Sequence, residues 1–514
     1  MSKTERQFKL WETEIDYMEI PSEIKALADA SKGAGYKAYL VGGCVRDFLM
    51  GIRPKDWDIA TDATPEEIQR TFPESVYENT FGTVSVKTGS EEEELRIVEI
   101  TTFRKEGGYA DHRHPDKVEF TKNIEEDLAR RDFTMNAIAM DLTEDGYIFV
   151  DPYGGQTDIQ DRIIRAVGKS EERFEEDALR MMRAVRFASR FGFQIEEDTQ
   201  RAIAERAGTI SEVAPERVRD ELIKLLMTKG AVNGVRLMLE TGLLDIVIPE
   251  LAGGAGVEQN KHHAFDIFEH NVRSLAYTVE QDFPLHLRLA ALLHDVAKTK
   301  TREWKSDPRG EKEKDGKKGD WTFYQHQYLG EKMIRDIMNR LKFPKEMTSK
   351  VTLLVREHMF VYDPEAVTQK GVRRLISRVR EENIDDLIKL READRIGSGV
   401  PKAQPYRLRH LQAMIEKAKG EPVSVKQLKI DGNIMITDIG IQPGPKMGFI
   451  LAALLEEVLE DPNKNTLEYL SDRTRELNTL SEEKLKEMAE KARQSADGAQ
   501  KRIDDAIKEK YFVK

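Results

Sequence analysis

Apolar positions in the first 150 residues come in short bursts. Ala38-Tyr39-Leu40-Val41 is an apolar run of strand length. Thr83-Val84-Ser85-Val86 and Leu95–Ile100 also read as strands, with the acidic run Glu91–Glu94 in the turn between them. In that reading Glu99 shares a side with Ile97 at the end of its strand. Residues 1–30 carry a helical pattern, and from Glu171 onward the period is helical almost without interruption. The pattern predicts an α+β chain with a mixed sheet-and-helix part first and all-helical parts after it. We divide it at 1–35 (helical lead-in), 36–155 (mixed), 156–250, 251–410 and 411–514 (all helical).

The most informative stretch is Tyr39–Asp62, YLVGGCVRDFLMGIRPKDWDIATD. A strand-like run meets Gly42-Gly43 and then a helical-looking segment with Arg46. A glycine pair there lets the backbone approach a ligand, and a helix N-terminus offers free N–H groups to phosphate. Ten residues on comes Asp56-Trp57-Asp58. If Asp56–Ala60 is a strand, both carboxylates point to one face, and hard divalent ions such as Mg²⁺ take such oxygen ligands together with substrate phosphates. Taken singly, a Gly pair is mostly a turn and a DxD mostly a solvated strand edge. Together they resemble the head motif of the class II tRNA nucleotidyltransferases and bacterial poly(A) polymerases, GGxVRD followed by DxDxAT, within the polymerase-beta-like nucleotidyltransferases. The resemblance implies that Asp56 and Asp58 hold two Mg²⁺ ions and that Gly43 and Arg46 hold the triphosphate.

The net charge of −12 argues against nucleic acid as a partner unless basic residues are gathered locally. No apolar run reaches the ~18 residues of a membrane span, and the N-terminus has no apolar core of a secretory signal. The single cysteine, Cys44, excludes an intramolecular disulfide and fits a reducing cytoplasm; we read it as a small filler.

Thr102–Pro115 has two glycines and a proline and reads as a mobile loop carrying Glu106, Asp111 and Arg113. The family has such a loop, with a part in switching from C to A addition. Residues 123–140, NIEEDLARRDFTMNAIAM, match the family's RRDFTxNA. The resemblance implies that Arg131 contacts the nucleotide, that Asp132 accepts from the ribose 2′-OH and that Asn136 supports it. Asp151–Gly155 resembles the hinge between head and neck. In Glu176–Arg190, Arg180, Arg183, Arg186 and Arg190 fall on one third of a helix, and no acid lies between Ala178 and Ile195, which suggests an anion facing the stripe. Asp177 lies three residues before Arg180, close enough for a pair that reads the edge shared by cytosine and adenine. This matches the family's EDxxR template, with Arg183 and Arg186 at phosphate-contacting positions.

Seven of the ten histidines are His262, His263, His270, His286, His294, His326 and His358. Imidazoles with carboxylates suit transition metals. The set resembles an HD domain, which implies His270, His294, Asp295 and Asp394 as ligands of Ni, Mn or Fe, with His326 and His358 as candidate further ligands. Residues 305–320, KSDPRGEKEKDGKKGD, read as a charged low-complexity loop. Residues 480–510 read as a solvated charged helix.

The expectation is therefore a template-independent nucleotidyltransferase: head, helical neck and RNA-binding region, HD domain and helical tail. It adds C and/or A, from CTP and ATP, to the 3′ end of tRNA in the cytoplasm. The alternatives are an A-adding enzyme or a poly(A) polymerase and, from another class, an HD phosphohydrolase with a nucleotide-binding head.

Overall fold

A computed structural model describes residues 19–77, 81–107, 117–260, 264–306, 312–314, 316–419, 428–490 and 510–512. Asp111, Arg113, His262, His263, the first part of the lead-in and most of 480–510 lie outside them. Two compact units emerge: residues 1–356 with 393–400, and 357–392 with 401–514.

The first unit starts with helix α1 (Ser22–Gly33) and a seven-stranded sheet. Its strands are β1 (Ala38–Val41), β2 (Asp58–Thr61), β3 (Ser75–Tyr77), β4 (Thr83–Lys87) and β5 (Ile97–Thr102), followed by β8 (Ala139–Thr143) and β9 (Gly146–Val150). They lie in the order β3-β4-β5-β2-β1-β8-β9. Only β2 and β5 run parallel; the other pairs are antiparallel. Strand β2 begins at Asp58 and not at Asp56, which sits exposed in the bend before it. Trp57 between them is buried and pins that bend to the core. Part of the predicted loop is ordered as a ladder of β6 (Arg104–Gly107) on β7 (Lys117–Phe120). Helix α2 (Gly43–Leu49) follows β1 directly and is buried almost throughout. Helix α3 (Ile124–Ala129), capped by the Asn123 side chain, packs Ile124 and Leu128 against Val41, Ala60 and Phe103.

The neck opens with the short parallel pair β10 (Ile163–Ile164) and β11 (Gln194–Ile195). Around it stand α4 (Ser170–Glu176), α5 (Leu179–Phe191) and α6 (Pro215–Leu226). Helix α5 ends at Gly192, whose φ of +68° is the left-handed C-terminal turn that glycine adopts without strain. Helix Ala231–Glu240 lies close on α5: a Cβ at Gly234 would run into the Ser189 side chain and Leu225. Then come α7 (Ile267–Glu280), α8 (Leu285–Leu293) and α9 (His326–Arg340). Between α8 and α9 the predicted low-complexity loop is a three-stranded sheet instead: β12 (Glu303–Ser306), β13 (Lys312–Lys314) and β14 (Lys317–Thr322). The last residues of α10 (Glu381–Gly397) return to this unit and bring Asp394.

The second unit is helical where it is described, with a core of Ile430, Met435, Ile450, Leu454, Leu470 and Leu485. No helix among the described residues is long and apolar enough to cross a membrane.

Candidate functional site

The β1–α2 turn is built on Gly42, at φ +75° and ψ −129°. A Cβ there would lie 2.7 Å from Nη1 of Arg131 and 3.9 Å from Oδ2 of Asp58, so glycine is what lets the guanidinium and the carboxylate meet against the backbone. Burial pushes the Asp58 carboxyl up from its ordinary value; Arg131 opposes that and Asp56 adds to it. Glu99 stands directly beside Asp58 in the β2–β5 ladder, so both side chains leave the same face of the sheet. It lies inside β5, which runs on to Thr102, and not at a strand end. Asp56 and Glu99 thus flank a carboxylate that is already costly to ionise, and carboxylate oxygens are the donors a hard divalent cation takes; as they stand the three do not converge to the spacing of the histidine–aspartate cluster described below. Arg131 Nε is a buried donor with no hydrogen-bond partner among the described residues, and its Nη2 reaches Asp127 at 3.3 Å. A phosphate oxygen is the kind of acceptor such a donor lacks.

Cys44 is buried with its thiol against the Val41 carbonyl and pushed up to about 12, the state of an inert filler.

Arg46 is sealed inside. Its Nε and Nη2 donate to Asp47 at 2.8 and 2.6 Å, and Nη1 donates to Asn136 at 2.7 Å. Its guanidinium packs on Phe187 and Phe191 of α5 at 5.3 and 4.9 Å. In this conformation its donors are taken by protein partners and it joins head to neck. Gly43, beside it at the start of α2, has room for its backbone to be approached.

Asp132 is buried and fully used. Oδ1 accepts from the Phe133 N–H at 2.8 Å and from Asn136 at 3.0 Å; Oδ2 accepts from Arg183 at 2.8 and 2.6 Å. Burial alone would raise its carboxyl, yet Arg183, Asn136 and Arg180 hold it at about 2. A carboxylate has about four lone-pair sites, so a ribose hydroxyl must displace one of these donors to bind it.

The arginine stripe of α5 does form, but it does not face an unneutralised anion site. Acids from elsewhere meet every member: Glu176 meets Arg180 at 2.7 Å, Asp132 meets Arg183, Glu221 of α6 meets Arg186 at 2.5 Å, and Asp47 meets Arg190 at 3.4 Å. The expected Asp177–Arg180 pair is also absent here. Asp177 sits between α4 and α5 in extended conformation, φ −146° and ψ 102°, so the helical three-residue spacing does not apply to it. Its Oδ1 caps α5 by accepting from the Leu179 N–H, and its Oδ2 accepts from Arg217 of α6 at 2.7 Å. Arg217 was not singled out in the sequence, because it is forty residues away and carries no local signal. Glu106 forms pairs with Arg104 at 2.7 Å and Arg130 at 3.1 Å.

A second centre lies where α7, α8 and α10 meet. Nε2 of His270 and His294 are 3.0 Å apart, and each is 3.1–3.6 Å from a carboxylate oxygen of Asp295 and Asp394. His326 Nε2 lies 3.2 Å from the other Asp295 oxygen. His294 and His326 turn Nδ1 toward the carbonyls of Ala291 and Phe323, at 2.9 and 2.7 Å. That makes Nδ1 the donor and leaves Nε2 for the cluster, the arrangement common among metal-binding histidines. Burial works against a charge on His294, but Asp295 and Asp394 outweigh it and hold the ring at about 10; burial lowers His270. Four such ligand atoms within 4.8 Å of one another suit a transition metal. His358, in the second unit, is buried.

Fold and sites together define a nucleotidyltransferase head on a helical neck, with an HD-type centre behind it. Residues 38–165 match the family model for the poly A polymerase head domain, 192–253 that for the probable RNA and SrmB-binding site of polymerase A, and 267–398 that for the HD domain. The CCA-adding enzyme of Lactiplantibacillus plantarum is 32% identical over 465 residues, which cover 88% of this chain and 96% of that enzyme. The A-adding tRNA nucleotidyltransferase of Deinococcus radiodurans is 35% identical over 430 residues, 82% of this chain and 91% of that enzyme. Other CCA-adding enzymes reach 49% identity over 222 residues, and there the chain spans about half (53%) of the relative's length. Among solved structures, the Bacillus stearothermophilus CCA-adding enzyme in complex with CTP is similar with a TM-score of 0.54 at 28% identity, over 90% of this chain and 98% of that one. The chain belongs to this family of CCA-adding and A-adding tRNA nucleotidyltransferases.

Proposed function

We propose that this chain adds C and A to the 3′ end of tRNA from CTP and ATP. The observation that carries the reading is the approach of Arg131 and Asp58 to Gly42, with Asp56 acting on Asp58 and Glu99 next to it across the β2–β5 ladder. In this reading 36–155 is the head, 156–250 the neck, 251–410 the HD domain and 411–514 the tail of a cytoplasmic enzyme.

Asp56 and Asp58, joined by Glu99, would hold Mg²⁺. When bound, the ions lower the pKa of the attacking 3′-hydroxyl and offset the charge of the leaving pyrophosphate. The chain's own groups do the rest. Arg131 faces the phosphates with its unused Nε–H, and Gly43 leaves its backbone open to them. Asp132 and Asn136 fix Arg183, which is a third exposed and so open to an incoming nucleotide. Arg186 supports it from the interior through Glu221. Asp177 and Arg180 would read the base after exchanging their partners Arg217 and Glu176. Cytosine and adenine both offer an amino donor beside a ring acceptor, and that edge suits a carboxylate with a guanidinium.

The test is incorporation of α-labelled CTP and ATP into tRNA lacking its 3′ end. Addition of both supports the reading; A alone on tRNA already ending in CC marks an A-adding enzyme, and long A tails a poly(A) polymerase. Loss of neither label on Asp58→Asn would refute the head assignment.

A specific observation favours a second activity. The buried His270, His294, Asp295 and Asp394 fit a metal that activates water for phosphoester hydrolysis.

A further inference from the structure

The three-stranded sheet between α8 and α9 sorts its charges by face. Trp304 pairs with Trp321, Lys312 with Gly319 and Lys314 with Lys317 across the ladders. Directly opposed residues share a face, so both tryptophans and all three of these lysines lie on one side. The only other positions there are Ser306 and Gly319, so the strands put no acid on that face. The opposite face mixes signs: Glu303, Lys305, Lys318 and Asp320. Lysines that only keep an edge strand from aggregating would not be segregated in this way.

The tryptophans are ordered. Their rings meet edge to face, with centroids 5.2 Å apart and planes at 79°. Arg302 stacks on Trp321 at 3.7 Å and Lys314 stands 4.8 Å from the same ring. Glycine at 319 is required, since a Cβ would strike the Lys305 carbonyl and the Trp304 indole 2.8 Å away. Lys314 and Lys317 are exposed. The buried Nε–H groups of Arg302 and Trp304 have no hydrogen-bond partner among the described residues.

This face adjoins the HD-type centre. Lys312 donates to the Gln259 main-chain oxygen at 2.6 Å and lies 3.5 Å from Glu258. The Gln259 side chain accepts from Lys298 at 2.8 Å, and Lys298 pairs with Asp295 of the cluster at 2.6 Å. One residue therefore ties the basic face to the cluster.

We infer that this face binds a single-stranded RNA segment and delivers its phosphates toward the His–Asp cluster. Sequence-tolerant single-strand sites combine cations that track the backbone with aromatic rings on which bases stack. Both tryptophans are half-buried and Arg302 and Lys314 already lie over Trp321, so a base stacks there by displacing one of these cations. The inference rests on RNA being the substrate class, as proposed above, but does not need nucleotide addition or hydrolysis to occur.

The test uses a fluorescein-labelled 12-mer RNA and anisotropy with the full chain. Lys314→Glu/Lys317→Glu reverses two charges on the aromatic face; Lys305→Glu/Lys318→Glu makes the same change in net charge on the other. The first should weaken binding about tenfold or more, and reduce the slope of log K against log salt by about 1.4, at ~0.7 per lost phosphate contact. The second should stay within about twofold. An abasic 12-mer of equal charge should bind the unaltered chain more weakly, and Lys314→Glu/Lys317→Glu should narrow that gap. Equal losses from the two double variants, or equal displacement of the RNA by polyglutamate, would overturn the inference. Incorporation of CTP by the head, retained in both variants, reports that the chain is folded; its loss in the unaltered protein would count against the proposed function and leave the binding comparison intact.

Discussion

Replacing Gly42 by alanine should separate two consequences that one glycine now holds together. The backbone there has φ +75° and ψ −129°, a region in which an L residue is strained by about 1–3 kcal/mol. The new Cβ would also sit 2.7 Å from Nη1 of Arg131. That atom is the end of a side chain, so it moves and the backbone stays, and the guanidinium leaves Asp58. Burial and Asp56 then push the Asp58 carboxyl further up without opposition. The strain should appear as a drop in Tm of about 2–12 °C, at roughly 2–4 °C per kcal/mol for a large domain. The lost guanidinium should appear in the pH–rate profile of CTP incorporation at subsaturating Mg²⁺: the acid limb moves to higher pH, because Asp58 must be ionised to hold the ion. Arg131→Met is the companion variant. It removes the charge without the strain, so it should reproduce the shift of the acid limb with a smaller change in Tm. An unchanged Tm and acid limb in Gly42→Ala, or an acid limb that moves down, would refute this account of the turn.

Asp177→Ala should lower kcat/KM for CTP and ATP and relatively favour UTP and GTP, since an unmatched buried polar group costs about 1–3 kcal/mol; four equal losses would make Asp177 only the cap of α5. Asp132→Asn probes a carboxyl held at about 2, below its ordinary 3.8. A depressed value contributes stability above the unfolded value that is lost as pH falls through the folded one. The stability gap between wild type and variant, by urea unfolding, should therefore be full at pH 5 and shrink between about pH 4 and pH 2; a gap independent of pH would refute it. His294→Ala should lose transition metal measured by elemental analysis, with CTP and ATP incorporation little changed; metal retained in full would remove His294 from the ligand set.

Short-range physics made part of this protein legible from its sequence. A four-residue apolar run, a glycine pair and a helical segment specify a strand–turn–helix because each depends on neighbours a few residues away. The arginines of α5 share a face because the helical period puts them there, and the HD pair follows an apolar helix that had to be buried. Their partners were not legible. Arg183 meets Asp132, Arg186 meets Glu221 and Arg190 meets Asp47 across 51, 35 and 143 residues. A one-sign stripe is thereby matched by acids on other elements. Asp177 pairs with Arg217 and not Arg180 because residue 177 is extended, which the spacing alone does not reveal. Glu99 joins Asp58 only through the register of two parallel strands. In residues 303–322 the charges look intermixed along the chain, and pairing the strands sorts them by face. Period decides which side of an element a residue occupies; chain crossing and register decide what it meets there.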